Sequence, residues 1–260
     1  MVSKSRNMFY KNKKQRRRKY SFESRVKGPV RLCLINLQRT GDNFKSFLAE
    51  DPLEEKPERS DCWPVSIHTK GKFACSGVIV DWQHVVTLAS CVQGFDSEDI
   101  KVRTGSSMIY SGGHVHSVKS IETTGLYSPV TLSYDMSHLT LDKPITLGPT
   151  VLMARVAERG DEQPLTVKFV GWTVKKANGK SQMKEAVLNL MVQNDCCALT
   201  KDFESSSMLC AKAVIPNQTP CWGDFGGAIV NKWHALMGLH SWSVPDCSVA
   251  VFSNLPRLHG

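Results

Sequence analysis

Three histidines lie in or beside apolar runs, where an imidazole could serve as a general base. They are His84, His138 and His240. A catalytic pair also needs a nucleophile within hydrogen-bond reach of the base. No spacing in the sequence places such a nucleophile beside any of the three. We therefore expect each histidine to be an ordinary strand residue.

The nine cysteines are the second group of residues with chemical potential. No CxxC or Cys/His pair has the spacing of a structural zinc site, so we expect no metal and no cofactor. Their wide spacing in a chain of 260 residues favours disulfides, and hence an oxidising compartment and secretion. A signal peptide is not visible, since the first apolar run, Leu32–Ile35, is too short and too far from the start. Either a leader precedes this sequence or export follows another route.

The positive charge is concentrated at the N-terminus. The net charge is +9, yet residues 1–31 hold twelve of the 33 basic and one of the 24 acidic residues. The remaining chain therefore has 21 basic and 23 acidic residues, without the basic excess of a nucleic-acid-binding domain. We interpret residues 1–31 as a disordered, solvated tail. A nuclear-import or polyanion-binding patch at Lys13–Lys19 is the alternative.

The pattern of the chain changes at Cys62. Residues 32–61 are polar, with an acidic, proline-bearing stretch at residues 50–58, and are typical of a linker. Beyond Cys62, short apolar or alternating runs recur between Gly, Pro, Asn, Asp and Ser, which favours an all-β barrel or sandwich with little helix. No apolar run is long enough to cross a bilayer as a helix.

Several short motifs follow one another in this second part of the chain. They are Cys75-Ser76-Gly77, Val85–Cys91, Tyr134–Leu141, Gly171-Trp172, Met208–Ala211, Cys221–Ala228, Ser241-Trp242 and Cys247. In this order, and at nearly this spacing, they resemble the trypsin/chymotrypsin-like serine proteases from about Cys62 to the chain end. The resemblance implies two antiparallel six-stranded β-barrels, at about residues 62–157 and 158–260, with the site in the cleft between them.

The same resemblance implies three disulfides. They are Cys75–Cys91, Cys196 or Cys197 with Cys210, and Cys221–Cys247. Cys33, Cys62 and one member of the Cys196/Cys197 pair are then left over. Because that family often tethers its N-terminal segment by a disulfide, Cys33 or Cys62 could have this role.

The catalytic positions of the family are only partly filled. The family's mechanism uses a serine nucleophile, a histidine base and an aspartate that orients the histidine. The matching positions here hold Phe225, Ser90 and Asp135. Phenylalanine has no oxygen to attack a carbonyl, and serine does not ionise near neutral pH. Asp135 is then expected to be a buried carboxylate that hydrogen-bonds to backbone or to Ser90.

Other parts of the family's scaffold are retained. Gly223 matches the oxyanion-donor position, and Asp224 matches the aspartate that pairs with a newly cut N-terminus during activation. The positions of the primary specificity pocket hold Thr219, Ser241 and Trp242. No basic residue followed by an Ile/Val-Val/Ile-Gly-Gly sequence precedes Cys62, so an activation cleavage is not expected.

These residues predict a non-catalytic serine protease homologue that binds a protein, as a cofactor, decoy or regulator of proteolysis. Its partner would be an active protease or a protease substrate. One alternative is an active trypsin-like endopeptidase with a relocated or misaligned site. Another is a nuclear or polyanion-binding protein that acts through residues 1–31. Asn217 begins an N-glycosylation sequon, which is weak further support for secretion.

Overall fold

The computed structural model describes residues 62–158, 164–174 and 181–255. The predictions for the tail of residues 1–31, for the linker of residues 32–61 and for Cys33 lie outside these residues.

Strands dominate the described part of the chain, as the sequence predicts. The strands are β1 (Pro64–Thr69), β2 (Lys72–Ile79), β3 (His84–Thr87), β4 (Ile100–Thr104), β5 (His114–Thr123), β6 (Ser137–Leu141), β7 (Arg155–Val156), β8 (Thr166–Val174), β9 (Ser181–Leu190), β10 (Met208–Ala213), β11 (Ala228–Val230), β12 (Ala235–Ser243) and β13 (Ala250–Asn254). The helices are α1 (Ala89–Val92), α2 (Gln193–Leu199) and a 3-10 turn (Ser97–Asp99). None of these helices is long and apolar enough to cross a membrane.

The first six strands form a closed antiparallel barrel in the order β1-β2-β3-β6-β5-β4. Strand β4 shows how the sequence specifies it. Ile100 and Val102 point inward and are buried, whereas Lys101 and Arg103 alternate with them and are half-buried. Because neighbouring side chains on a strand point to opposite faces, this alternation gives the barrel its apolar interior.

The second barrel follows the order β11-β8-β9-β10-β13-β12 and closes through the pairing of β11 with β12. The two-residue strand β7 adds to it in parallel, with Ala235 opposite Arg155. This strand directly precedes the predicted boundary between residues 157 and 158. The prediction of two six-stranded antiparallel barrels with little helix is confirmed.

The two barrels are joined by backbone as well as by side chains. The backbone N–H of Trp172, on β8, donates to Ser76 Oγ at 3.0 Å, and the Ser76 N–H donates to the Phe225 carbonyl at 2.8 Å. Gly226 has a φ of +74°, and a side chain there would overlap the Ser76 carbonyl. Only glycine at this position allows the loop that contains Phe225 to approach the first barrel this closely.

Three disulfides join pairs of cysteines within the described residues and close loops in the barrels. They are Cys75–Cys91, Cys196–Cys210 and Cys221–Cys247, with Cα atoms 6.2, 6.1 and 5.4 Å apart. The open choice between Cys196 and Cys197 is thus decided for Cys196, and Cys197 is an exposed free thiol.

Candidate functional site

Asp135 lies at the junction of the barrels, with its side chain fully buried. The Ser90 backbone N–H, on α1, donates to Asp135 Oδ1 at 2.8 Å, and the Ser90 hydroxyl donates to Oδ2 at 2.8 Å. The Ser241 hydroxyl, on β12 of the second barrel, donates to Oδ2 at 2.6 Å. Donors from both barrels therefore converge on one carboxylate.

The environment of Asp135 has two opposing effects on its pKa. Burial is the larger effect and raises the pKa above its usual value, because a low-dielectric surrounding penalises the charged form. The hydrogen bonds from Ser241 and Ser90 act in the other direction by stabilising the carboxylate. Serine hydroxyls hold the carboxylate in place but cannot shuttle protons near neutral pH as an imidazole does.

The Phe225 ring lies against the second barrel. It stacks on the buried His240 ring with centroids 5.8 Å apart and planes 7° apart. The exposed Trp222 meets the Phe225 ring edge-on at 6.1 Å, and His240 in turn contacts Phe252 at 5.5 Å. A continuous row of aromatic rings thus leads from the surface into the barrel core.

His240 is fixed on its other side by a hydrogen-bond chain. Its Nε2 lies 2.8 Å from the Ser243 hydroxyl, which donates its own proton to the Pro220 carbonyl at 2.8 Å. Since that proton is already committed, the imidazole is the donor to Ser243 and not a base for it. Burial lowers the pKa of His240 to about 4, an effect that the Asp224 charge partly opposes. His240 is therefore neutral at physiological pH.

Asp224 is paired with a lysine from within the chain. Its side chain is only 3% exposed, and Oδ2 accepts from Lys184 Nζ and from the Cys221 backbone N–H, at 2.8 and 2.9 Å. Oδ1 accepts a short hydrogen bond from the Thr173 hydroxyl. Lys184 Nζ also donates to the Thr219 carbonyl at 3.1 Å. The ammonium group thus contacts two points of the same loop.

The family model for trypsin matches residues 53–255 of the chain. This protein belongs to the trypsin family. Trypsin alpha-4 of Lucilia cuprina is 28% identical over 202 residues, which cover 76% of each chain. Trypsin epsilon of Drosophila erecta is 28% identical over 186 residues, or 69% of this chain and 72% of that one. Among solved structures, scabies mite inactivated protease paralogue S-D1 has the same fold, with a TM-score of 0.66 and 24% identity over 75% of this chain and 87% of that chain.

The three residues that the sequence predicts at the triad-equivalent positions fall into two groups. Ser90 and Asp135 are hydrogen-bonded to each other, together with Ser241. Phe225 instead contacts Trp222 and packs against the second barrel through its ring.

The other residues singled out in the sequence have structural contacts of their own. The Thr219 hydroxyl accepts from the Ala213 N–H at 3.1 Å. Trp242 is half-buried and packs against the apolar cluster around the Cys196–Cys210 disulfide. Gly223 has a φ of +97°, a conformation that favours glycine. Asn217 is exposed, so its sequon is accessible.

The remaining candidate histidines lie on the first barrel. His84, on β3, pairs with Asp81 at 2.7 Å, and His138 lies exposed on β6. Desolvation by the surrounding barrel surface lowers the pKa of His138 despite this exposure. Neither histidine has a hydrogen bond to a hydroxyl among those seen in the described residues.

Sequence reasoning missed Lys184 and the packing of His240. A signal for Lys184 exists in β9, because strand alternation places it on the same face as Ala186 and Leu188, both buried. A lysine on a core-facing position needs a buried anion as partner. The stack of His240 on Phe225 has no comparable signal, since the two are distant in sequence.

Proposed function

We propose that this trypsin-family chain is non-catalytic and acts by binding another protein. The observation that carries the proposal is the hydrogen bonding of Asp135. In an active family member this carboxylate would orient a histidine base. Here it accepts a backbone N–H and a hydroxyl from Ser90 and a second hydroxyl from Ser241. No proton acceptor suited to neutral pH contacts Asp135 in this cluster.

The position of Phe225 supports the same proposal. Its side chain offers no nucleophilic atom, and its ring lies on His240, next to the Ser243–Pro220 bond. Ser243 belongs to β12 and Pro220 to the loop that contains Phe225. This hydrogen bond therefore connects the loop to β12.

A relocated catalytic pair is the competing hypothesis. In the described residues, three hydroxyl groups form hydrogen bonds with an imidazole. The pairs are Ser66–His68, Thr104–His116 and Ser243–His240. All three hydroxyl-bearing residues are buried. Because a nucleophile must reach a substrate carbonyl, buried hydroxyls do not support this hypothesis.

Binding to a secreted protein fits the remaining observations. The three disulfides are typical of an oxidising compartment. Trp222 is 62% exposed at the edge of the Phe225 loop, and exposed aromatic residues are enriched where proteins associate. The scabies mite protein with this fold is an inactivated protease paralogue, which is consistent with a non-catalytic role for this fold. We propose an active protease or its substrate as the partner.

A fluorophosphonate probe tests the absence of catalysis, because it labels only an activated serine nucleophile. Intact protein is incubated with the probe beside an active trypsin at equal concentration. We expect labelling of the trypsin and none of this protein. Labelling that maps to a serine in the region of Asp135 or Phe225 would contradict the proposal.

A further inference from the structure

The Lys184–Asp224 pair is a buried interaction that the proposed function leaves unexplained. A buried carboxylate without a cation is strongly unfavourable, because no water compensates its charge. Asp224 is 3% exposed and Lys184 25% exposed, and their charged atoms are 2.8 Å apart. The ammonium group therefore makes the burial of Asp224 possible.

The contacts of this pair extend along the loop Thr219–Gly227, here named the Asp224 loop. Lys184 Nζ holds the Thr219 carbonyl at 3.1 Å, and the Asp224 carboxylate holds the Cys221 N–H at 2.9 Å. The Asp224 carbonyl accepts from the Gly227 N–H at 3.2 Å. Thr219, Cys221 and Gly227 are thus each hydrogen-bonded to one of the two residues of the ion pair.

Lys184 itself comes from a rigid part of the fold. It lies on β9 opposite Gly171 of β8, in an uninterrupted antiparallel register from Thr166–Asn189 to Val174–Ser181. Thr173, on the same strand β8, supplies the hydroxyl bound to Asp224 Oδ1. Two paired strands therefore present both the cation and a hydroxyl to the carboxylate.

We propose that Lys184 is the resident counter-ion that orders the Asp224 loop in the uncleaved chain. The loop then needs no ammonium group released by cleavage of the N-terminal region. Asp224 already accepts three hydrogen bonds, and a carboxylate offers about four acceptor sites. Three of these acceptor sites are thus taken by the chain's own donors. This inference concerns the loop conformation and holds whether or not the protein is catalytic.

Hydrogen exchange of the intact chain tests whether the Asp224 loop is ordered without cleavage. We expect the amides of Cys221, Asp224 and Gly227, which donate to carbonyl or carboxylate oxygens, to be protected without any proteolysis. Exchange of these amides at the rate of an unstructured peptide, with protection gained only after N-terminal cleavage, would overturn the proposal. This measurement needs no variant and so does not depend on a variant folding.

Lys184→Met tests the role of the ammonium group. We expect the amides of the Asp224 loop to exchange at least about tenfold faster than in the wild type, because the carboxylate loses its charged partner. Lys168→Met is the matched control, since Lys168 is also on this sheet and pairs with Glu185 at 3.3 Å, away from Asp224. The control should leave exchange in the Asp224 loop near the wild-type rate.

The double variant Lys184→Met/Asp224→Asn separates charge from packing. Because it removes the unpaired anion, its loop should be better protected than that of Lys184→Met alone. Unchanged loop exchange in Lys184→Met, or equal effects of the Lys184 and Lys168 substitutions on this loop, would contradict the role of Lys184.

Discussion

His240 shows, at the level of single residues, how burial changes the chemistry that a side chain can perform. On the sequence it is a candidate base; in the structure it is enclosed by the rings of Phe225, Phe252 and Phe169. Its pKa of about 4 keeps the imidazole neutral at physiological pH. His240 therefore serves as a packing partner for Phe225 and as a donor to Ser243.

This environment predicts a pH dependence of stability. The folded-state pKa of His240 is about 4, below its ordinary value of 6.5, so the unfolded chain takes up a proton between these limits that the folded chain does not. Stability from the neutral imidazole is therefore complete above pH 6.5 and is lost as the pH falls towards 4. The slope approaches about 1.4 kcal/mol per pH unit for one proton.

Denaturant unfolding of wild type and His240→Gln from pH 4 to pH 7 measures this contribution. We expect the free energy of unfolding of the wild type to fall more steeply with acidification than that of the variant. His68, His116 and His138, whose pKa values are also lowered, remain in both proteins, so the difference isolates His240. Parallel curves would contradict the assignment.

At the level of elements, the loop between β10 and β11 carries Phe225 and Asp224. Its conformation depends on a close approach of Gly226 to Ser76 on β2, and on the hydrogen bond from Ser76 to Phe225. The loop is thus fixed to the first barrel through Phe225 and Gly226, and to strand β9 through the ion pair of Asp224 with Lys184.

Gly226→Ala should be more destabilising than an alanine substitution at a glycine that has a positive φ but no neighbouring atoms in the way. Alanine at φ +74° costs about 1–2 kcal/mol, and its Cβ would also overlap the Ser76 carbonyl. Gly94→Ala is the control, because Gly94 has φ +79° and open space around it. Urea denaturation should show a larger loss for Gly226→Ala; equal losses would contradict the packing argument.

The sequence predicted some elements better than others. Apolar runs at residues 114–121, 138–141 and 165–174 correspond to β5, β6 and β8. Strand β1 also alternates, with Val65 and Ile67 next to polar residues, but Ser66 and His68 are buried as a hydrogen-bonded pair and not exposed as the alternation predicts. Because the two residues lie on the same face of the strand, each provides the hydrogen-bond partner that the other needs in a core.

The site shows the same division. Ser90 and Asp135 are 45 positions apart, and their pairing was expected because the resemblance carried both residues. Lys184 and Asp224 are 40 positions apart, and no motif connects them. Their contact depends on the register of β8 and β9, which the sequence alone does not specify.

At the level of the whole molecule, two closed barrels and the disulfides of the described residues support the candidate site. Cys221–Cys247 joins the Asp224 loop to the turn between β12 and β13 across 26 positions. Closing a loop of this length restricts the unfolded chain and contributes about 3.5 kcal/mol in the chain-entropy description.

Replacing both Cys221 and Cys247 by alanine should lower the free energy of unfolding by about 3.5 kcal/mol. Cys197→Ser is the control, because this thiol is exposed and unpaired, and a change within about 0.5 kcal/mol is expected. Chemical denaturation under non-reducing conditions compares the two variants. Equal stability of the double variant and wild type would show that the bond does not stabilise the fold.

Hydrolysis of a broad peptide library by the intact wild-type protein tests the central claim most directly. Phe225→Ser, Ser90→His and the double variant are assayed in parallel. We predict no turnover by the wild type and little gain from either single substitution, because a hydroxyl without a base, or a base without a nucleophile, does not act as a catalytic unit. Wild-type turnover that is abolished by a substitution near Asp135 or Phe225 would contradict the account.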